Sequence, residues 1–319
     1  MANVEQYPTR AQYDEDTAIG RGNEGALVGD HDGLSALIEA KRQSLTGAER
    51  RVAEVLLKSE EIAALYTAGE IARMAGTSDS TVIRLSRSLG LSGYLEMQRL
   101  ARRKVVEELN SRTPDRLYAA GESLSDEDLI GRVFAKDALN LQVTAKNLSR
   151  KVFAELVSDL VQARRVYVVG SRTGSSITGL LAFCLRLLRE DVRSLSGRLE
   201  EDYDQLLLAG PQDAMIGISM ARYANHTLSV MKMAGQKGVR LYGVTDSLIA
   251  PINNYTSRIL LVSNDSLSIT PSTTAVVAFI HVLIAAVGLE LTRRGGGIDE
   301  RLNELEEMYD EVGIYWKDV

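Results

Sequence analysis

Apolar positions along the chain fall into three regimes. Up to residue 33 they have no period. From 34 to about 110 they recur at helical spacing: Val52, Val55, Leu56 and Leu57 share a face, as do Ile71, Ala72 and Met74, and then Val82, Ile83, Leu85 and Leu89. From about 165 onward, short β-branched runs alternate with longer apolar stretches. The runs at 165–170, 213–219, 239–245 and 258–263 predict strands, and those at 177–188, 224–235 and 272–289 predict helices. That alternation implies an α/β domain: a doubly wound parallel sheet covered on both faces, an αβα sandwich.

The first helices carry start and stop signals. Thr46 with Glu49, and Thr67 with Glu70, have capping-box spacing, in which each side chain satisfies a free N–H of the other's backbone. Gly76 breaks the helix opened by Thr67. Ser78 is the next N-cap, and Gly90 ends the helix that follows. A short helix, a turn at Gly76 and a second helix make the parts of a helix-turn-helix. The second helix sets Asp79, Ser80, Thr81, Arg84, Ser86, Arg87 and Ser88 opposite its apolar side. In that geometry Ser78, Ser80, Thr81, Arg84 and Arg87 are the candidate DNA contacts, arginine being able to donate two hydrogen bonds to guanine. A small helical bundle with a polar face is the alternative.

Charge sharpens this picture. The 319 residues carry a net charge of −6, which argues against coating nucleic acid along the whole surface. The charge is uneven, however: net −5 over residues 1–33, +3 over 34–113 and −4 thereafter. Between Thr81 and Lys104, Glu96 alone opposes six basic residues, Arg84, Arg87, Arg99, Arg102, Arg103 and Lys104. The expected organisation is a flexible acidic tail (1–33), an all-α helix-turn-helix domain (34–110), a linker (111–127), the α/β domain (128–290) and a C-terminal helical extension (291–319). In that extension Leu302, Leu305 and Met308 form a stripe suited to core contact or a subunit interface.

Candidate chemistry lies where the strands end, since open parallel sheets bind ligands outside their carboxyl edges. The polar residues there are Ser171, Arg172, Thr173, Ser175 and Ser176, then Ser219 and Arg222, then Thr245 and Asp246, then Ser272 and Thr273. Hydroxyls with two arginines suit a small anionic or polyhydroxylated ligand. No triad spacing is present, and the one cysteine, Cys184, and three histidines do not make a metal or disulfide framework. No catalytic residue, metal or cofactor is expected. His281 and Cys184, on apolar helices, are expected in the core. His226 lies beside a ligand loop without a carboxylate recognisable by spacing. The N-terminus has no signal-peptide pattern, and the longest apolar run, 275–289, is shorter than a membrane span. These features point to a cytoplasmic protein with no membrane partner.

Several blocks resemble a family. Glu70-Ile-Ala72, Ala75-Gly-Thr-Ser78, Ser80-Thr-Val-Ile-Arg84 and Leu89-Gly-Leu-Ser-Gly-Tyr94 are similar to the DNA-binding domain of RpiR/MurR-type bacterial transcriptional regulators. The stretches Val168-Val-Gly-Ser-Arg172, Gly210-Pro-Gln-Asp213, Ile218-Ser-Met-Ala-Arg-Tyr223 and Val244-Thr-Asp-Ser247 resemble the SIS (sugar isomerase) domain of the same regulators. The resemblance implies double-stranded operator DNA as partner, a phosphosugar or related metabolite as effector, and a homodimer or homotetramer. Two departures stand out: Arg172 and Gly174 occupy the second glycine and the serine of the usual Gly-x-Gly-x-Ser loop, and the usual Ser-x-Ser-Gly-x-Thr motif reads here as residues 219–227. A sugar-phosphate isomerase with an accessory helical domain is the rival reading, and a structural module with no DNA partner is a third.

Overall fold

The structure, a computed structural model, describes residues 33–111, 126–195, 199–268, 270–295 and 297–316. Nearly all of the expected acidic tail and of the linker lies outside the described residues.

The N-terminal domain is all helical: α1 (Leu34–Lys41), α2 (Gly47–Leu56), α3 (Glu60–Leu65), α4 (Ala68–Met74), α5 (Asp79–Ser88) and α6 (Tyr94–Ser111). Both capping boxes form, at Thr46–Glu49 and Thr67–Glu70. Leu34, Val52, Leu56, Ile71, Val82, Leu85 and Met97 interlock as a fully buried core. Gly76, at φ +59°, supplies the left-handed residue that turns α4 into α5. Gly69 lets the two helices approach, because a Cβ there would stand 3.1 Å from the Asp79 carboxylate. Helices α1 and α3 were not expected. The six-residue α3 is too short to show a period, and it is held by α6, whose Arg102 Nε donates to Ala64 O at 2.9 Å.

The C-terminal domain opens with α7 (Asp126–Asn147) and α8 (Arg150–Gln162) and is built on five parallel strands: β1 (Val166–Gly170), β2 (Val192–Leu195), β3 (Ala214–Ile218), β4 (Arg240–Thr245) and β5 (Ile259–Leu261). Their spatial order is 2-1-3-4-5, all pairs parallel. Both β1 and β3 are buried along their whole length. One face of the sheet packs on α8, α9 (Thr173–Leu188) and α12 (Thr274–Arg293). The other packs on α11 (Asn225–Gln236) and the turn Pro251–Asn254, while α10 (Leu199–Gln205) lies alongside α11. Edge strand β2 was not expected, since Val192-Arg-Ser-Leu195 places two polar residues in four.

Helix α12 corrects one expectation. At 20 residues it is long and apolar enough to cross a membrane by length and composition, although the apolar run in the sequence is shorter. Here Ala275, Val276, Phe279, Ile280, Leu283 and Val287 are buried among the α/β core. His281 is exposed on the opposite face, not in the core as expected. Cys184 is half-buried, and burial pushes its thiol pKa up. The final helix, α13 (Ile298–Val312), buries none of its residues and is fastened by Arg301, whose guanidinium donates to the carbonyls of Arg186 and Leu187 at the end of α9. The two domains touch: Ile249, just after β4, joins the helical core, and Val106 of α6 packs against the α/β side.

Candidate functional site

The helix-turn-helix presents α5 with one face to solvent. Ser78, Asp79, Ser80, Arg84, Arg87 and Ser88 are exposed, whereas Val82 and Leu85 are fully buried. Two residues placed on the polar side by sequence turn inward. Thr81 is buried, with its Oγ1 3.1 Å from Ser78 Oγ and taking a 3.3 Å bond from Arg84 Nη2. Ser86 is buried and donates to Ile83 O at 2.7 Å. Thr81 therefore steadies the Arg84 guanidinium instead of facing a groove. Tyr94 donates its hydroxyl to Tyr66 O, which makes it a packing residue of the bundle, and burial pushes its phenol pKa up.

The candidate ligand site is a cavity of about 140 Å³ at the carboxyl ends of β1 and β3. In a 2-1-3-4-5 sheet the strand order reverses between those two strands, so the loops leaving them part and open a crevice. The β1 side contributes Ser171, Arg172, Thr173 and Gly174, the β3 side Ser219 to Arg222, and a third wall runs from Thr270 to Thr273. Thr227 and the side chains of Ile177, Ile218 and Val276 complete it. Two arginines and several hydroxyls, without a carboxylate, line this space.

Its backbone is under tension where the arginines sit. Arg172 has φ +58° and Arg222 φ +64°, the left-handed region that favours glycine. Among the described residues only Asp191 shares that property without being glycine. Strain of this kind costs about 1–3 kcal/mol and persists where the surroundings over-determine the conformation. At Arg222 the surroundings are Asp246, whose carboxylate accepts from Ala221 N at 3.0 Å, Tyr223 Oη at 3.1 Å and Asn264 Nδ2 at 3.1 Å. Burial first, and then the Asp246 charge, hold the Tyr223 phenol pKa far above its ordinary range, so it remains a donor. Ser219, a lining residue, buries its Oγ, for which no hydrogen-bond partner stands among the described residues.

Of the residues expected at this site, Ser171, Arg172, Thr173, Ser219, Arg222, Ser272 and Thr273 line the cavity. Ser175, Ser176, Thr245 and Asp246 do not. Helix α9 begins at Thr173, earlier than the polar run 171–176 indicates, so Ser175 lies in its first turn and donates to Arg172 O at 2.7 Å. Thr245 is fully buried at the end of β4. Thr227, which meets Ser171 Oγ at 3.1 Å, ends the 219–227 stretch noted in the sequence but was not among the expected site residues.

His226 has a partner after all. Its Nε2 lies 2.8 Å from Asp202 Oδ2, with both side chains largely buried and Tyr203 edge-on to the imidazole. The 24-residue separation hid the pair. Neither residue lines the cavity. Among the described residues no group of three His, Cys, Asp or Glu is placed to hold a metal ion.

A helix-turn-helix domain joined to an αβα domain with a polar crevice at its switch point is the architecture of a one-chain regulator. Family models match both parts: the helix-turn-helix domain of the rpiR family over residues 32–105, and the SIS domain over residues 159–286. The chain belongs to the RpiR family of transcriptional regulators. It is 26% identical to an uncharacterised HTH-type transcriptional regulator of Haemophilus influenzae, covering 70% of this chain and 77% of that one. It is 25% identical to the HTH-type transcriptional regulator HexR of Pseudomonas aeruginosa, covering 85% of this chain and 93% of that one. The structure of Vibrio vulnificus NanR complexed with ManNAc-6P shares the fold, with a TM-score of 0.53 at 17% identity over 86% of this chain and 99% of that one.

Proposed function

We propose that this chain is a metabolite-responsive transcriptional regulator. Helix α5 reads operator DNA through Ser80, Arg84 and Arg87, the cavity between β1 and β3 holds a phosphosugar or related sugar acid, and the working unit is a cytoplasmic homo-oligomer without catalytic activity. The observation that carries the sensing half is Ser219, a residue of the cavity lining beside two arginines whose buried hydroxyl has no partner among the described residues. Such a group costs about 1–3 kcal/mol while unmet, and a bound anion or hydroxyl removes that cost. The NanR neighbour, solved with a sugar phosphate, supports the ligand class. Coupling requires the ligand to favour one arrangement of the helical domains over another.

The test is a gel-shift series on the DNA upstream of the regulator's own gene, with and without R84A/R87A. Specific binding should vanish in the double variant while the helical content stays unchanged, and specific binding that persists would overturn the assignment. The His226–Asp202 pair, though outside the cavity lining, is an acid–base pair of the kind an isomerase uses, and that is the second reading. Turnover of an aldose or ketose phosphate, lost in H226A, would establish that reading instead.

A further inference from the structure

The cavity wall that carries Ser272 differs in polarity from the walls that carry the arginines, and the difference traces to a carboxylate bound to Ser272 and Thr274. Asp137, in the middle of α7, accepts from Ser272 Oγ at 2.5 Å through Oδ1 and from Thr274 Oγ1 at 2.8 Å through Oδ2. No cation pairs with it among the described residues. Its neighbour Lys136 is engaged by Asp265 instead.

A serine hydroxyl owns one proton and two lone pairs. The proton of Ser272 is committed to Asp137, in a charge-assisted bond stronger than a neutral one. One lone pair takes the Thr274 N–H at 3.3 Å. What Ser272 has left for the cavity it lines is therefore an acceptor, with a full negative charge directly behind it. Arg172 and Arg222 stand on the walls contributed by the β1 and β3 loops. A ligand anion is drawn to the arginines and repelled from the Ser272 wall. A ligand hydroxyl, able to donate, satisfies that wall.

We propose that Asp137 is a positioning residue that sets the direction and the charge pattern of the effector. The anionic group lies against the arginine-bearing walls, an uncharged hydroxyl donates to Ser272, and a molecule with a second acid against the Ser272 wall is rejected. This rests on the ligand-sensing reading above and narrows it from sugar phosphates and sugar acids in general to ligands charged at one end.

Glucose 6-phosphate and 6-phosphogluconate test it: both carry the phosphate, and the far end is an uncharged hemiacetal hydroxyl on a ring in the first and a carboxylate on an open chain in the second. In calorimetric titration of the full chain, glucose 6-phosphate should bind about tenfold more tightly, the scale of one poorly screened like-charge neighbour, and D137N should bring the ratio close to one. A purely structural role would weaken both probes equally and leave the ratio alone. An unchanged ratio in D137N, or a wild-type preference for 6-phosphogluconate, would overturn the proposal. If D137N melts before titration, S272A with inorganic phosphate as a third probe gives the answer. Phosphate binding should be unchanged while glucose 6-phosphate weakens about tenfold; equal loss of both would mean that Ser272 donates to the anion. Binding of no probe by the wild-type chain would remove the sensing reading itself, which is distinguishable from loss of selectivity alone.

Discussion

Ser88, the last residue of α5, donates a 2.8 Å hydrogen bond to Oε1 of Glu49, 39 residues earlier in the capping box of α2. Glu49 Oε2 meanwhile accepts from Thr46 N at 2.9 Å and Thr46 Oγ1 at 2.7 Å. One carboxylate thus starts α2 and anchors the far end of α5, the second helix of the helix-turn-helix. Replacing Glu49 with alanine should lower the stability of the helical domain by about 1–2 kcal/mol, read as a lower first transition in thermal unfolding, and should weaken operator binding through a loosened α5. An unaltered melting profile would show that the tie contributes nothing.

The same carboxylate carries a pH dependence whose sign is fixed. The Thr46 hydroxyl first, and then its N–H and the Ser88 hydroxyl, hold the Glu49 pKa below the ordinary range, and these outweigh the upward push of burial. A lowered folded pKa means that the stabilisation is complete above the unfolded value, about 4.3, and is lost as pH falls through the folded one. Glu70, lowered chiefly by the Thr67 N–H, acts in the same direction. Stability of the helical domain should therefore fall below about pH 4.5. E49Q, which keeps the box geometry, should flatten that acid limb without removing Glu70's share. Melting curves between pH 3 and 7 decide the matter.

How far the sequence disclosed this arrangement depended on how local each feature is. Both capping boxes span four residues, and both formed where their spacing placed them. The buried strands β1 and β3 were equally visible, because neither has a polar position to break its apolar run. Strand β2 has Arg193 and Ser194 in four residues at a sheet edge and leaves no such signal. The start of α9 was obscured because small polar residues in a first turn look like loop. Contacts across long separations were not legible at all. Asp246 looked like a ligand contact because it follows a strand, yet it is spent on Ala221, Tyr223 and Asn264. Asp137 gave no sign of its relation to Ser272, 135 residues away.

That role for Asp246 is testable. In D246A the Ala221 N–H, the Tyr223 hydroxyl and the Asn264 amide lose their acceptor, at roughly 2–4 kcal/mol for groups that are largely buried. The loop carrying Arg222 should relax out of its left-handed backbone, so ligand-induced stabilisation should shrink although no lining residue has changed. A variant with wild-type ligand response would return Asp246 to a passive place beside the site.

Gly170 closes β1 beneath the cavity, where a Cβ would fall 2.5 Å from Thr178 Oγ1 and 2.9 Å from the Gly174 carbonyl oxygen. The carbonyl belongs to the first turn of α9 and cannot swing away as a side chain could. G170A should push that turn, and Arg172 with it, off the strand end, at about 1–3 kcal/mol by the usual cost of overpacking. Thermal denaturation should show the loss in the α/β transition, with the helical domain unaffected.

Ser219 gives a prediction that changes sign with the ligand. Its hydroxyl is buried with no partner among the described residues, so S219A removes an unmet polar group while leaving nearly the same volume filled. The α/β domain should then melt at the same temperature or slightly higher, by up to about 1–2 kcal/mol. With a sugar phosphate present the order should reverse: the wild-type hydroxyl gains its missing partner, and the alanine variant gains less stabilisation at every concentration. The crossing of the two melting series, and not the direction of either alone, is the signature. If S219A were destabilised without ligand and equally responsive with it, the hydroxyl would be satisfied within the protein itself, and the cavity would lose the group that most directly calls for a ligand.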